Sequence, residues 1–151
     1  LLDEPTNGVD PVSRREFWDI LYALLGKGVT IVVTTAYLDE AERSNRVALM
    51  YRGRFIRLGE PKSLRNEMKK EILQVVVDDS RKAENILKKL DRLKTIRTGN
   101  SIRIFTDSAR NSGKRIERAL KNNRVAVISM EEVSPRLEDS FIEIITEEEA
   151  K

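Results

Sequence analysis

The chain has 151 residues, no cysteine and no histidine, and 28 basic against 25 acidic side chains, for a formal net charge of +3. That composition excludes a disulfide framework, a thiolate metal site and any chemistry led by an imidazole base. No apolar run approaches membrane-spanning length, nothing at the start reads as a secretory signal, and basic and acidic residues interleave along the chain, so no nucleic-acid stripe is expected.

Leu1-Leu2 runs directly into Asp3-Glu4, and Pro5 then stops the strand. An apolar run ending in two carboxylates reads as the carboxyl end of a buried parallel strand, where open α/β sheets place their ligands. At such an edge Asp3 can serve a hydrated Mg²⁺, which takes one or two carboxylates plus phosphate oxygens, and Glu4 can orient or deprotonate a water. For a bare Leu-Leu-Asp-Glu, ordinary turn and capping roles are the alternative. Asp10-Pro11 starts a helix, with Asp10 as N-cap and Pro11 in the first turn. Val12, Phe17, Ile20, Leu21 and Leu24 fall on one face of it, Trp18 packs at the edge of that face, and Gly26 and Gly28 end it. Val29 to Thr35 is β-branched throughout and reads as a strand covered on both faces, completing a βαβ crossover with Leu1-Leu2. Tyr37 to Arg43 is a short acidic helix. Arg46–Tyr51 and Arg54–Leu58 form a hairpin across Arg52-Gly53. Gly59-Glu60-Pro61 breaks the chain before a polar helix reaching about Lys70.

The texture changes at Glu71. Ile72, Leu73, Val75 and Val77 form a strand, and Asp78-Asp79-Ser80 caps a helix to Leu90 with Ile86, Leu87 and Leu90 inward. Lys94–Thr98 and Ile102–Thr106 pair around Gly99-Asn100. Asp107 or Ser108 caps a helix to Lys121 with Ile116, Ala119 and Leu120 inward, and Arg124–Met130 is a further strand. The order βαββαβ predicts a ferredoxin-like antiparallel sheet with its helices on one side. A last helix runs from Ser134 through Ile142 into an acidic tail. The lysines and arginines of the two middle helices, Lys82, Lys88, Lys89, Lys114, Arg115 and Arg118, read as solvated faces balanced by Glu84 and Glu117.

The opening string, Leu1 to Pro11, resembles the Walker B motif and D-loop of ATP-binding cassette (ABC) ATPases, with Asn7 and Val9 in place of the usual Ser and Leu. Thr34-Thr35-Ala36-Tyr37-Leu38-Asp39-Glu40-Ala41-Glu42 is similar to the switch region of drug and polysaccharide exporters, and Pro135-Arg136-Leu137-Glu138-Asp139-Ser140-Phe141 resembles the text that closes such subunits. The resemblance implies a partial P-loop NTPase layer over residues 1–70 and an accessory α+β unit over 71–151. It implies that Asp3 acts on Mg²⁺ through water, that Glu4 is the catalytic glutamate, and that Asp10 lies at the interface with a second cassette, fused or separate. Ala36 occupies the position of the switch histidine, which implies a degenerate nucleotide site. No Gly-x-x-x-x-Gly-Lys-Ser/Thr loop and no Leu-Ser-Gly-Gly-Gln signature occurs in the sequence. A start inside an apparent strand, without Met, leads to the expectation of a fragment, inactive and binding no nucleotide by itself, and prone to self-association through its uncovered apolar edge. The parent would be a cytoplasmic ATPase, peripheral on the inner face of the membrane, that uses ATP and Mg²⁺ to power efflux through a permease and binds no nucleic acid. Two other classes remain open at this point: a non-catalytic regulatory or interaction module, and a soluble ABC-type factor.

Overall fold

The computed structural model describes residues 1–90 and 93–149. The chain is mixed α/β. Strand β1, Leu2–Asp3, leads through helix α1, Pro11–Gly26, to strand β2, Val33–Thr34, and the two strands pair in parallel with Leu2 opposite Val33 and Asp3 opposite Thr34. Asp10 caps α1 as its spacing predicts, its Oδ1 accepting from the N–H groups of Val12 at 2.9 Å and Ser13 at 3.1 Å.

Two expectations for this region are corrected. Only Val33–Thr34 of the seven-residue apolar run joins a ladder, and Val29 and Val32 are exposed. A β-branched run reaches full strand form only where strands flank it, and among the described residues β2 has β1 alone beside it. The buried face of α1 is also rotated: Trp18 and Leu21 are its buried residues, whereas Val12, Ile20 and Leu24 face outward. Trp18 is therefore central rather than peripheral, with its ring 6.0 Å from that of Tyr22.

Helix α2, Leu38–Ala41, precedes the hairpin of β3, Val47–Tyr51, and β4, Arg54–Gly59. Arg52 and Gly53 both take positive φ, as the tight turn between these strands requires. Helix α3, Pro61–Asn66, follows. The remainder is β5 (Glu71–Val77), α4 (Ser80–Lys89), β6 (Lys94–Thr98), β7 (Ser101–Thr106), α5 (Ala109–Asn122), β8 (Val127–Val133) and α6 (Leu137–Glu149). Its four strands form one antiparallel sheet in the order β6-β7-β5-β8. Leu73, Val75 and Val77 of β5 and Ile102 and Ile104 of β7 point to one side, where Ala83 and Leu87 of α4 and Ile116 and Leu120 of α5 meet them. Alternation with period two on the strands and three-to-four spacing on the helices accounts for that core.

The last helix runs further than its sequence text suggests, to Glu149, while residues 150 and 151 of the acidic tail lie outside the described residues. Helix α6 crosses back to the front of the chain. Leu137 and Ile144 pack with Val47 and Leu49 of the hairpin and Leu64 of α3, forming a second core. Arg57 of the hairpin faces Glu67, Glu147 and Glu148 at 3.6–4.0 Å.

Candidate functional site

The parallel register between β1 and β2 brings the sequence-predicted residues to one edge. The Glu4 N–H donates to the Thr34 carbonyl at 3.0 Å and to the Thr34 hydroxyl oxygen at 3.1 Å. The Thr34 hydroxyl in turn donates to Asp3 Oδ1. Asp3, Glu4 and Ala36 are all exposed at this end of the strands. Glu4 has φ of 45°, in the left-handed region that costs a non-glycine residue about 1–3 kcal/mol. Backbone strain of that kind persists where surrounding bonds over-determine the conformation, and here the paired Thr34 bonds do so.

Behind this edge lies a residue that the sequence reading treated only as part of an acidic helix. Glu40 is fully buried. Its Oε1 accepts from the Thr6 hydroxyl at 2.6 Å and its Oε2 from the Thr35 hydroxyl at 2.9 Å. Arg14 Nε of α1 stands 3.4 Å from Oε1, and the Arg14 guanidinium lies 5.1 Å over the Tyr37 ring. The Tyr37 N–H donates to the Thr35 hydroxyl oxygen at 3.0 Å. One carboxylate thus ties the segment after β1 to the segment after β2, on either side of Ala36. Nothing in the sequence singles out this carboxylate from Asp39 and Glu42 beside it; the two threonine hydroxyls that it accepts from do so only once the fold brings them together.

Asp10 is not part of this cluster. Its Oδ1 is committed to the start of α1, and the Ser13 hydroxyl and N–H hold its carboxyl below the usual carboxylate range. Because that pKa is depressed, the cap stabilises α1 above the ordinary carboxylate pKa and is lost as the pH falls through the lowered value.

A second buried polar cluster, also missed, ties α6 to the sheet. Arg103 of β7 donates from Nε to Asp139 Oδ1 at 3.0 Å and from Nη2 to Oδ2 at 2.6 Å. Its Nη1 reaches Gln74 Oε1 at 3.2 Å. The Arg136 N–H donates to Asp139 Oδ2 at 2.8 Å, and the Leu137 N–H donates to Glu42 Oε1, just after α2, at 2.7 Å.

Among the described residues no three acidic side chains gather tightly enough to hold a metal by themselves. The donor set of one oriented carboxylate, Asp3, beside a hydroxyl suits Mg²⁺, which fills its remaining positions with water and phosphate oxygens.

Open α/β layers place their ligands outside the carboxyl ends of their strands, the end at which Asp3 and Glu4 are exposed. The chain belongs to the family described as ATP-binding protein DrrA1-3-like, C-terminal domain, whose model matches residues 59–145. It is 53% identical over 64 residues to the probable multidrug ABC transporter ATP-binding protein YbhF of Escherichia coli, covering 42% of this chain and 11% of that protein. It is 40% identical over 90 residues to the daunorubicin/doxorubicin resistance ATP-binding protein DrrA of Streptomyces peucetius, covering 57% of this chain and 27% of that protein. To the Nod factor export ATP-binding protein I of Mesorhizobium japonicum it is 44% identical over 68 residues, covering 44% and 20% respectively. The chain thus spans well under a third of the length of these relatives. Among the described residues no helix is long and apolar enough to cross a membrane.

Proposed function

We propose that these residues are the Walker B, D-loop and switch portion, with the accessory C-terminal unit, of an ABC exporter's ATP-binding subunit that powers efflux through a separate membrane permease. The observation that carries this reading is the parallel register of Leu2 with Val33 and Asp3 with Thr34, because it gathers Asp3, Glu4 and the Ala36 segment at one edge. The strained φ of Glu4 and the buried Glu40 clamp support it.

ATP, when bound, would supply the transferable phosphoryl group, and Mg²⁺ would neutralise charge on its phosphate oxygens. Asp3, held by the Thr34 hydroxyl, would bind the Mg²⁺ through a water, and Glu4 would orient the attacking water. Asp10 would face a second cassette, and Ala36 leaves the switch position without a polar side chain. The phosphate loop and signature, absent from these 151 residues, would come from the rest of the subunit, so this chain alone should hydrolyse no ATP. The subunit would be cytoplasmic, held at the inner face of the membrane by its permease. Within it, residues 1–70 would belong to the catalytic layer and 71–151 to a ferredoxin-like accessory domain, a plan that the antiparallel order β6-β7-β5-β8 supports.

Substituting Asp3→Asn in the intact subunit tests the assignment. Mg²⁺ affinity in the presence of ATP, read by calorimetric titration, should fall by roughly 10- to 100-fold, the usual loss when a group acting on a metal from the outer shell is removed. ATP binding without Mg²⁺ should be unchanged. An unaltered Mg²⁺ dependence would remove Asp3 from the site and the reading with it.

The 151-residue chain alone should self-associate. Val12 and Ile20 are 69% and 59% exposed on α1, and Val29 and Val32 are exposed nearby, an apolar surface that drives association. Light scattering should report a mass that rises with concentration; a monomer throughout the accessible range would refute this.

A further inference from the structure

Charges that interleave along the sequence separate in space. Helices α4 and α5 together carry nine basic and two acidic side chains. They account for +7, so the remaining 127 residues carry −4 against the total of +3. Both helices bury one face on the same side of the sheet, against Leu73, Val75, Ile102 and Ile104. Their outer faces therefore form one surface. The Ala126 N–H donates to Asp78 Oδ1 at 2.9 Å, which seats the end of α5 beside the start of α4.

On that surface Arg110, Lys114, Arg118 and Lys121 follow one another at i, i+4, i+8 and i+11, a single stripe of exposed cations on α5. Lys82 and Lys89 are exposed on α4. None of these six has an ion pair among the described residues, whereas Glu84, one of the two acids, is already taken by Lys88 at 2.9 Å and Arg97 at 3.1 Å. Like charges at i,i+4 repel, and the single acid beside the stripe on α5 is Glu117, three residues after Lys114 and four before Lys121, so the stripe keeps a surplus of positive charge that an outside anion can answer. The acidic carboxyl end of α6 in a second copy is already engaged within its own chain. Its Glu147, Glu148 and Glu149 are engaged with Arg57, Lys69 and Arg52 of the same chain.

We propose that the α4–α5 face is an electrostatic docking surface for the anionic phospholipid headgroups of a membrane. A cluster of four to eight Lys and Arg side chains on an amphipathic helix is the recurring signature of attraction to an anionic leaflet. Neither helix contains an aromatic residue, which removes the stacking platform that single-stranded nucleic acid uses. None of the exposed large apolar residues lies on α4 or α5, so the surface also lacks the anchors around which protein partners bind. What is left is exposed positive charge on the outer faces of two helices, sufficient for a lipid surface.

The test is sedimentation of the chain with vesicles of phosphatidylcholine alone, and of phosphatidylcholine and phosphatidylglycerol in equal parts. Binding should be confined to the anionic vesicles at ~0.1 M salt and lost near 1 M, where the Debye length shrinks from about 10 Å to about 3 Å. Replacing Arg110, Lys114 and Arg118 together by Gln should weaken binding on the order of a hundredfold, at about fivefold for each positive charge removed. A control with Lys27, Arg54 and Lys62 replaced by Gln loses the same net charge elsewhere and should bind as the parent does. Circular dichroism should give the same helix content for both variants. No binding to the anionic vesicles, equal binding to both kinds, or equal losses in the two variants would overturn the proposal. So would tighter binding of a nucleic-acid duplex or of polyglutamate than of the vesicles.

Discussion

Replacing Asp139 by alanine should destabilise the chain by about 3–5 kcal/mol, the range observed when one partner of a buried ion pair is removed. Asp139 is 1% exposed and Arg103 is 8% exposed. Truncation strands a guanidinium between the sheet and α6, with Gln74 Oε1 and the Ser134 carbonyl the acceptors left to it among the described residues. It also releases the Arg136 N–H, which Asp139 holds at the entrance to α6. The loss should appear as a lower urea midpoint with an unchanged slope. The double replacement Arg103→Met with Asp139→Leu should recover most of it, because two apolar side chains of similar volume leave no charge to solvate. A single-variant loss below about 1 kcal/mol would mean that water reaches Arg103 in solution and that the pair is a surface one.

That ion pair marks the limit of what the sequence discloses. Periodicity located β5, α4, β6, β7 and α5 because each depends on neighbours within a few turns of chain, whereas β8 runs over Val127–Val133, three residues beyond the expected Arg124–Met130. Leu73, Val75 and Val77 alternate, Ile116 and Leu120 are one turn apart, and Asp79 and Ser108 cap as their side chains dictate. The return of α6 onto the hairpin depends on partners far apart in the chain, such as Leu137 with Val47 and Leu49, and no local pattern encodes that pairing. Val29 to Thr35 failed for the opposite reason. Its composition is that of a covered strand, but composition records what a segment can pair with, not whether the neighbours are present. At the candidate site the carboxylate pair was legible from Leu-Leu-Asp-Glu-Pro, since each residue type announces its chemistry. Glu40 was not, because nothing in an acidic helix distinguishes the carboxylate that turns inward. Only the 2.6 Å and 2.9 Å bonds from Thr6 and Thr35 do so.

Those two bonds decide what Ala36 means. In the intact subunit, Ala36→His should raise single-turnover hydrolysis at this site by about a hundred- to a thousand-fold, with a partner site inactivated. One preorganised polar group aimed at a transition state is commonly worth about 2.7–4 kcal/mol. Preorganisation is the condition, and the structure supplies it on both sides of the substituted position. Thr35 is fixed by donation to Glu40 and accepts from the Tyr37 N–H at 3.0 Å, while Tyr37 carries the Arg14 guanidinium 5.1 Å over its ring. A histidine introduced between them enters a backbone already held at the edge where Glu4 lies exposed. MgATP affinity should change little, because Asp3 and Glu4 do not depend on the new side chain, so the gain should fall in the rate and not in binding. The further replacement Glu40→Ala should then abolish most of that gain by freeing Thr35. If Ala36→His leaves the rate unchanged while MgATP still binds, a different step limits hydrolysis and the site is not degenerate at residue 36.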